Sequence, residues 1–144
     1  VSATQDGPDK PPKDKPPKDP KPKKDPPMAT LTVTTQNHGT GIMDLVATAV
    51  AVDVGGSDKY PNTGNEMVIV NNGSGGALTV TENYGVGGTI DGQVLPNKTK
   101  IVAAGKVALL GPYPPGLYND ANGFMTLSWS ATTTIKVLPF VKGS

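Results

Sequence analysis

The sequence predicts an all-β protein: an antiparallel β-sandwich of jelly-roll-like type behind an extended Pro/Lys-rich N-terminal arm. Three observations carry this expectation. Eight or nine short segments have strand character, with turn formers roughly every eight to twelve residues between them. No segment sustains a helical apolar period. The composition also breaks at Met28. Residues 1–27 hold nine of the fifteen prolines, seven of the thirteen lysines and five aspartates, and no Leu, Ile, Met or aromatic residue. The expected division is therefore an arm over 1–27 and one sandwich domain over 28–144.

The arm reads VSATQDGPDKPPKDKPPKDPKPKKDPP. Proline removes backbone donors and disfavours helix in the preceding residue, and the interleaved Lys and Asp cannot build a core. The expected state is a solvated, polyproline-II-biased strand, which at about 3.1 Å per residue reaches roughly 80 Å. It is either a plain spacer or an arm that lies along another protein. In the second case its contact candidates are Lys10, Lys13, Pro16, Pro17, Lys18, Lys21, Lys23 and Lys24.

The body opens at 28–36, where Thr30, Thr32 and Thr34 alternate with Leu31 and Val33, the period of a strand with one wet face. Residues 37–41, NHGTG, form a turn. Residues 42–54, IMDLVATAVAVDV, contain alanines that permit helix, but β-branched alternation favours strand. Residues 55–65, GGSDKYPNTGN, read as a loop. The stretch 66–82, EMVIVNNGSGGALTVTE, reads as an antiparallel hairpin. Its first strand is apolar on both faces, its second alternates, and a glycine-rich loop joins them.

After a loop at 83–88, a short strand is expected around Asp91-Gly92, then a turn at 95–98. Strands follow at 99–104 and 106–110. Residues 111–123, GPYPPGLYNDANG, form a proline-stiffened corner. In 124–130 Met125, Leu127 and Trp129 share one face, and in the last strand, 133–140, Pro139 marks an end or an edge. Two packed sheets would bury Leu31, Val33, Val68, Val70, Leu78, Val80, Ile101, Leu109, Leu127, Trp129 and Val137.

The totals exclude several kinds of chemistry. With no cysteine there are no disulfides, zinc-thiolate sites, iron–sulfur clusters or thiol nucleophiles. With no arginine the bidentate fork that reads guanine is missing, so no nucleic-acid partner is expected. No apolar run reaches the length of a membrane span, so no membrane partner is expected. The N-terminus has no signal-peptide core. Its start at Val1 suits either an already cleaved leader or loss of an initiator Met.

The lone His38 lies in a glycine-flanked turn and has no second histidine for a metal site. No G-x-S-x-G elbow is present. The body's seven acids, Asp44, Asp53, Asp58, Glu66, Glu82, Asp91 and Asp120, are scattered, so no carboxylate pair stands out. The run NDANG at 119–123 has a faint calcium-loop look but lacks the further acids such a loop needs. The glycine clusters lack the Lys-Ser/Thr ending of a phosphate loop. No catalytic residue, metal or cofactor is expected. Tyr60, Tyr84, Tyr113, Tyr118 and Trp129 could form a sugar-stacking platform, although Trp129 suits core packing better. Tyr60, Tyr113, Pro114 and Tyr118 are the body's candidates for partner contact, since rigid Tyr and Pro lose little entropy on binding.

Several motifs together carry a family resemblance: KYPNTG at 59–64, MVIVNNGSG at 67–75, LTVT at 78–81, GPYPP at 111–115, YNDANG at 118–123, TLSWS at 126–130 and IKV at 135–137. Across 28–140 the body resembles the head decoration, or capsid-cement, proteins of tailed bacteriophages, while the arm departs from their pattern. The resemblance implies a non-enzymatic protein on the outer capsid surface of the virion that stiffens the assembled head. The implied partners are the major capsid protein and other copies of the chain, as a homotrimer at a symmetry axis. Two further readings are a secreted bacterial surface module that binds glycan or a host protein through loop aromatics, and a glycoside-active enzyme.

Overall fold

Residues 28–37 and 44–143 are described by the computed structural model, so the arm and the His38 turn lie outside the described residues. In chain order the elements are β1 (Ala29–Thr30), β2 (Thr34–Gln36), α1 (Leu45–Thr48), β3 (Val50–Ala51), β4 (Ser57–Pro61), β5 (Met67–Asn72) and β6 (Leu78–Glu82). They continue with β7 (Thr89–Ile90), β8 (Gln93–Val94), β9 (Lys98–Val102), β10 (Val107–Leu110), α2 (Pro115–Tyr118), β11 (Phe124–Trp129) and β12 (Ile135–Lys142). The chain is all-β, as its turn spacing predicts.

The first sheet runs β1-β4-β11-β6-β9, and the second runs β10-β5-β12-β2 with β3 also on β12. Most pairs are antiparallel, but β1 joins β4 and β2 joins β12 in parallel. One core lies between the sheets. Tyr60, Leu78, Val80, Met125, Leu127 and Trp129 come from the first sheet, and Val68, Val70, Leu110, Ile135 and Val137 from the second. From β4 to β6 and again from β9 to β12, each successive strand crosses to the opposite sheet. This alternation gives the fold its jelly-roll-like wrapping.

The crossings overturn the central hairpin. β5 and β6 are strands of different sheets, and 73–77 is an arch between them. The same is true of β9 and β10. Asn72 holds the two arches together. Its fully buried amide Nδ2 donates to the carbonyl oxygens of Gly76, Val102 and Ala103 at 2.8, 2.9 and 3.2 Å. Its Oδ1 accepts from the Ser74 N–H and hydroxyl at 3.1 and 2.6 Å. A hairpin would set Val68 and Val70 beside Leu78 and Val80, whereas the arch sets them face to face across the core. Alternation along each strand is identical in the two arrangements, so it cannot distinguish them.

Other expectations are also corrected. The stretch 28–36 holds two short strands in different sheets. Within 42–54, Asp44 caps a single helical turn, its Oδ1 accepting from the Ala47 N–H at 2.9 Å, before the two-residue β3. The supposed loop at 55–65 contains β4, a central strand of the first sheet. The corner at 111–123 carries the helical turn α2 and a cis Gly111–Pro112 bond. Asp91-Gly92 turns a two-stranded ribbon, β7 with β8, with both residues at positive φ. Pro139 neither ends β12 nor leaves the sheet. It lies between the segment bordered by β3, at Lys136 and Val137, and that bordered by β2, from Phe140. The neighbour changes there, so the missing N–H breaks no ladder bond on that side.

Ile101 and Leu109 are 75% and 56% exposed, while their neighbours Val102 and Leu110 are buried. The expected inward phase of β9 and β10 is therefore one residue out.

Candidate interaction surface

Most of the body's carboxylates are engaged locally. Asp53 Oδ1 accepts from the Gly55 N–H at 2.6 Å. Asp58 accepts from Trp129 and from the Asp53 N–H. Glu66 accepts from the Thr63 hydroxyl and N–H, both at 2.7 Å, and from the Gly64 and Asn65 N–H groups. Glu82 Oε1 accepts from the Tyr113 hydroxyl at 2.8 Å. Asp120 Oδ1 accepts from the Asn122 and Phe124 N–H groups at 2.8 and 3.0 Å, which closes the NDANG turn on itself. The Phe124 N–H bond is the main reason this carboxyl is held below its ordinary value. With Asp44 on α1, six of the body's seven acids hold its own backbone or side chains. Among the described residues, no three His, Cys, Asp or Glu side chains gather where a metal could bind.

The tyrosines proposed for contact are enclosed. Tyr60 is fully buried, and burial followed by the Glu66 and Glu82 charges pushes its hydroxyl pKa up. Tyr113 is 5% exposed and is raised in the same direction by burial and by its bond to Glu82. Tyr118, also buried, stacks on Tyr84 at 4.9 Å and meets Tyr113 edge-on at 5.1 Å. Burial pushes its hydroxyl up to about 12. Tyr113 and Tyr118 are folded inward by the α2 corner and Tyr60 faces the core from β4, so the three rings offer little surface. Trp129 is buried as well. Of the body's contact candidates only Pro114 is exposed. It borders a cleft of about 360 Å³ with Pro112, Lys98 and Lys100. The arm candidates lie outside the described residues.

The two outer faces differ sharply. On the first sheet one row crosses four strands as Ser57–Ser128–Thr81–Thr99. Ser57 and Ser128 share a hydrogen bond at 2.9 Å, Asn83 Nδ2 donates to Ser128 at 2.8 Å, and Lys59 lies over the Phe124 ring at 5.0 Å. This face is mainly polar, with Ile101 of β9, opposite Thr79, as its exposed apolar strand residue.

On the second sheet the matching row is Leu109–Ile69–Leu138, and the next pairs Met67 with Phe140. Ile69 and Leu138 point away from the main core yet are buried, because α1 lies against β5 and β12. That single turn covers only the middle. Leu109, Val107 and Val46 remain exposed around it. The five strands of this sheet contain no acid but include Lys136 and Lys142, and Lys106 directly precedes β10. The face is thus apolar at the centre and basic at the margin.

Sequence reasoning missed this face for a local reason. Residues 107–110, VALL, end in two adjacent leucines, so alternation alone cannot say which one faces inward. Compared with family models, with curated proteins and with solved structures, the chain matches none.

Proposed function

We propose that the chain is a structural protein that binds the outer surface of an assembled phage capsid and stabilises it by bridging capsid subunits. The observation that carries this reading is the second sheet's outer face, where Val107 and Leu109 stand in solvent beside the buried Ile69 and Leu138 and within a basic margin, opposite a first sheet whose outer face is hydroxyl-rich apart from Ile101. Contiguous exposed apolar surface on a small domain marks a place where another surface belongs. The carboxylates, tied up in holding the fold, are consistent with a protein that works by adhesion. The motif resemblance names the kind of assembly, and the Pro/Lys arm supplies reach. Contacts present only in the assembled head stabilise that head by mass action. The alternative, a surface module that binds glycan through loop aromatics, has less support, because Tyr113, Tyr118 and Trp129 are all buried.

The test is binding of the purified chain to expanded, undecorated heads. Saturation at a fixed copy number, with heads that tolerate higher temperature before releasing DNA, is the expected result. A version without residues 1–27 should bind more weakly. Failure to bind any assembled head, under conditions where the chain is folded, would overturn the reading.

A further inference from the structure

Among the described residues, five strands border the two sheets: β1 and β9 in the first, and β10, β2 and β3 in the second. An open edge presents unpaired N–H and C=O groups, and proteins usually blunt it with short length or charge. β1 and β3 have two residues each and β2 three. β9 carries Lys98 and Lys100. β10 has neither protection, since its sequence is VALL.

The hydrogen bonding of β10 has a definite phase. Asn72 N–H donates to the Lys106 carbonyl at 2.9 Å, one step beyond the Val107–Asn71 pair. Bonded pairs alternate in an antiparallel ladder. Ala108 and Leu110, together with the Lys106 carbonyl, therefore turn their backbone groups toward β5, and Val107 and Leu109 turn theirs to the open side. These same two residues project exposed side chains onto the apolar outer face.

We propose that the β10 edge accepts an extended segment of a partner protein as an added strand of the second sheet. The segment would be apolar at alternate positions and flanked by acids. Its backbone would pair with Val107 and Leu109, and its apolar side chains would extend the Leu109–Ile69–Leu138 row. An acid at its end would meet Lys106, which directly precedes β10, on a sheet whose strands carry no acid of their own. Two copies of this chain meeting edge to edge would instead bring two basic faces together. The inference rests on the reading of the chain as an adhesive module and specifies what that module grips.

The test titrates the full chain with a nine-residue synthetic peptide of alternating valine and threonine with glutamates at both ends, followed by amide NMR. The expected result is shifts centred on Val107 and Leu109. A lysine-ended peptide should bind about two- to fivefold more weakly, the scale of one lost exposed charge pair. Leu109→Pro removes an edge N–H without removing a bond to β5 and should abolish the shifts. If that variant misfolds, Leu109→Lys, which keeps the backbone donor, should still weaken binding. Shifts confined to β9, or no shifts, overturn the proposal. So does concentration-dependent dimerisation of the chain alone that Leu109→Lys reverses. If heads bind while the peptide does not, only this inference falls. If neither binds, the adhesive reading falls with it.

Discussion

Trp129 Nε1 donates a 2.7 Å hydrogen bond to Oδ2 of Asp58, a carboxylate that is 1% exposed. The Asp53 N–H donates to the same carboxylate, at 3.1 and 3.3 Å to its two oxygens. Asp58 thereby ties the end of β11 to β4 and to the loop by which the chain passes from the second sheet to the first. Replacing Trp129 with Phe keeps most of the apolar bulk but leaves a buried carboxylate short of a donor. The expected loss is about 1–3 kcal/mol, read as a lower urea midpoint at unchanged slope.

The acid limb of stability contains two opposed contributions. Burial raises the Asp58 carboxyl above its ordinary 3.8, against the bonds from Trp129 and Asp53. The folded state then holds this proton more tightly than the unfolded state, so its contribution declines as pH rises above 3.8. For Glu66, burial works upward, but the Thr63 and Asn65 donors outweigh it and hold the carboxyl below 4.5. Its contribution is complete above 4.5 and is lost as pH falls through the lowered value. Glu66→Gln should flatten the fall in thermal midpoint below 4.5. Asp58→Asn should remove the decline just above 3.8.

Asn62 and Asn119 form a reciprocal pair. Asn62 Nδ2 donates to Asn119 Oδ1 at 2.6 Å and to the Tyr113 carbonyl at 3.1 Å, and Asn119 Nδ2 donates to the Asn62 carbonyl at 2.7 Å. Asn62→Asp is isosteric but turns a carboxylate oxygen toward those two acceptors. It should cost more than Asn62→Ala at neutral pH, and the difference should shrink as the new acid is protonated. Unfolding curves at two pH values check this.

Adjacent leucines give a direct test of strand phase. Leu110→Ala empties a core position and should cost about 2–5 kcal/mol. Leu109→Ala should cost under about 1 kcal/mol, because its side chain is largely in solvent. Reversed magnitudes would mean that β10 is in the other register.

Gly85 passes against the Tyr118–Asn119 backbone, where an added Cβ would fall onto the Asn119 carbonyl. Its N–H donates to the Leu117 carbonyl at 3.0 Å, so it cannot back away without losing a bond. Gly85→Ala should lower the thermal midpoint severely, whereas Gly76→Ala, which meets nothing within 4 Å, should be close to neutral.

Much of the fold is legible residue by residue. Met125, Leu127 and Trp129 on one side of β11, and Leu78 and Val80 on one side of β6, face the core as their alternation requires. Asp91-Gly92, by contrast, reads as part of a strand and instead turns a ribbon, both residues at positive φ. The proline corner gave away its rigidity but not its direction. Its tyrosines look like surface contacts until the α2 turn folds them under, where Tyr113 reaches Glu82. β4 was hidden because Asp58 and Asn62 look like loop residues, and only partners distant in sequence, such as Trp129 and Asn119, make them good interior residues.

The amino-acid order by itself determined that this chain forms short alternating strands, which residues on most of them are apolar, and that the first 27 residues have no means to build a core. Those properties depend on neighbours one or two positions apart. Tertiary structure decided which strands pair, that 73–77 and 103–106 arch between sheets, and which outer face is left apolar. Those outcomes depend on contacts such as Asn72 with Val102 and Ala103, made between residues 30 and 31 positions apart, which no local period encodes.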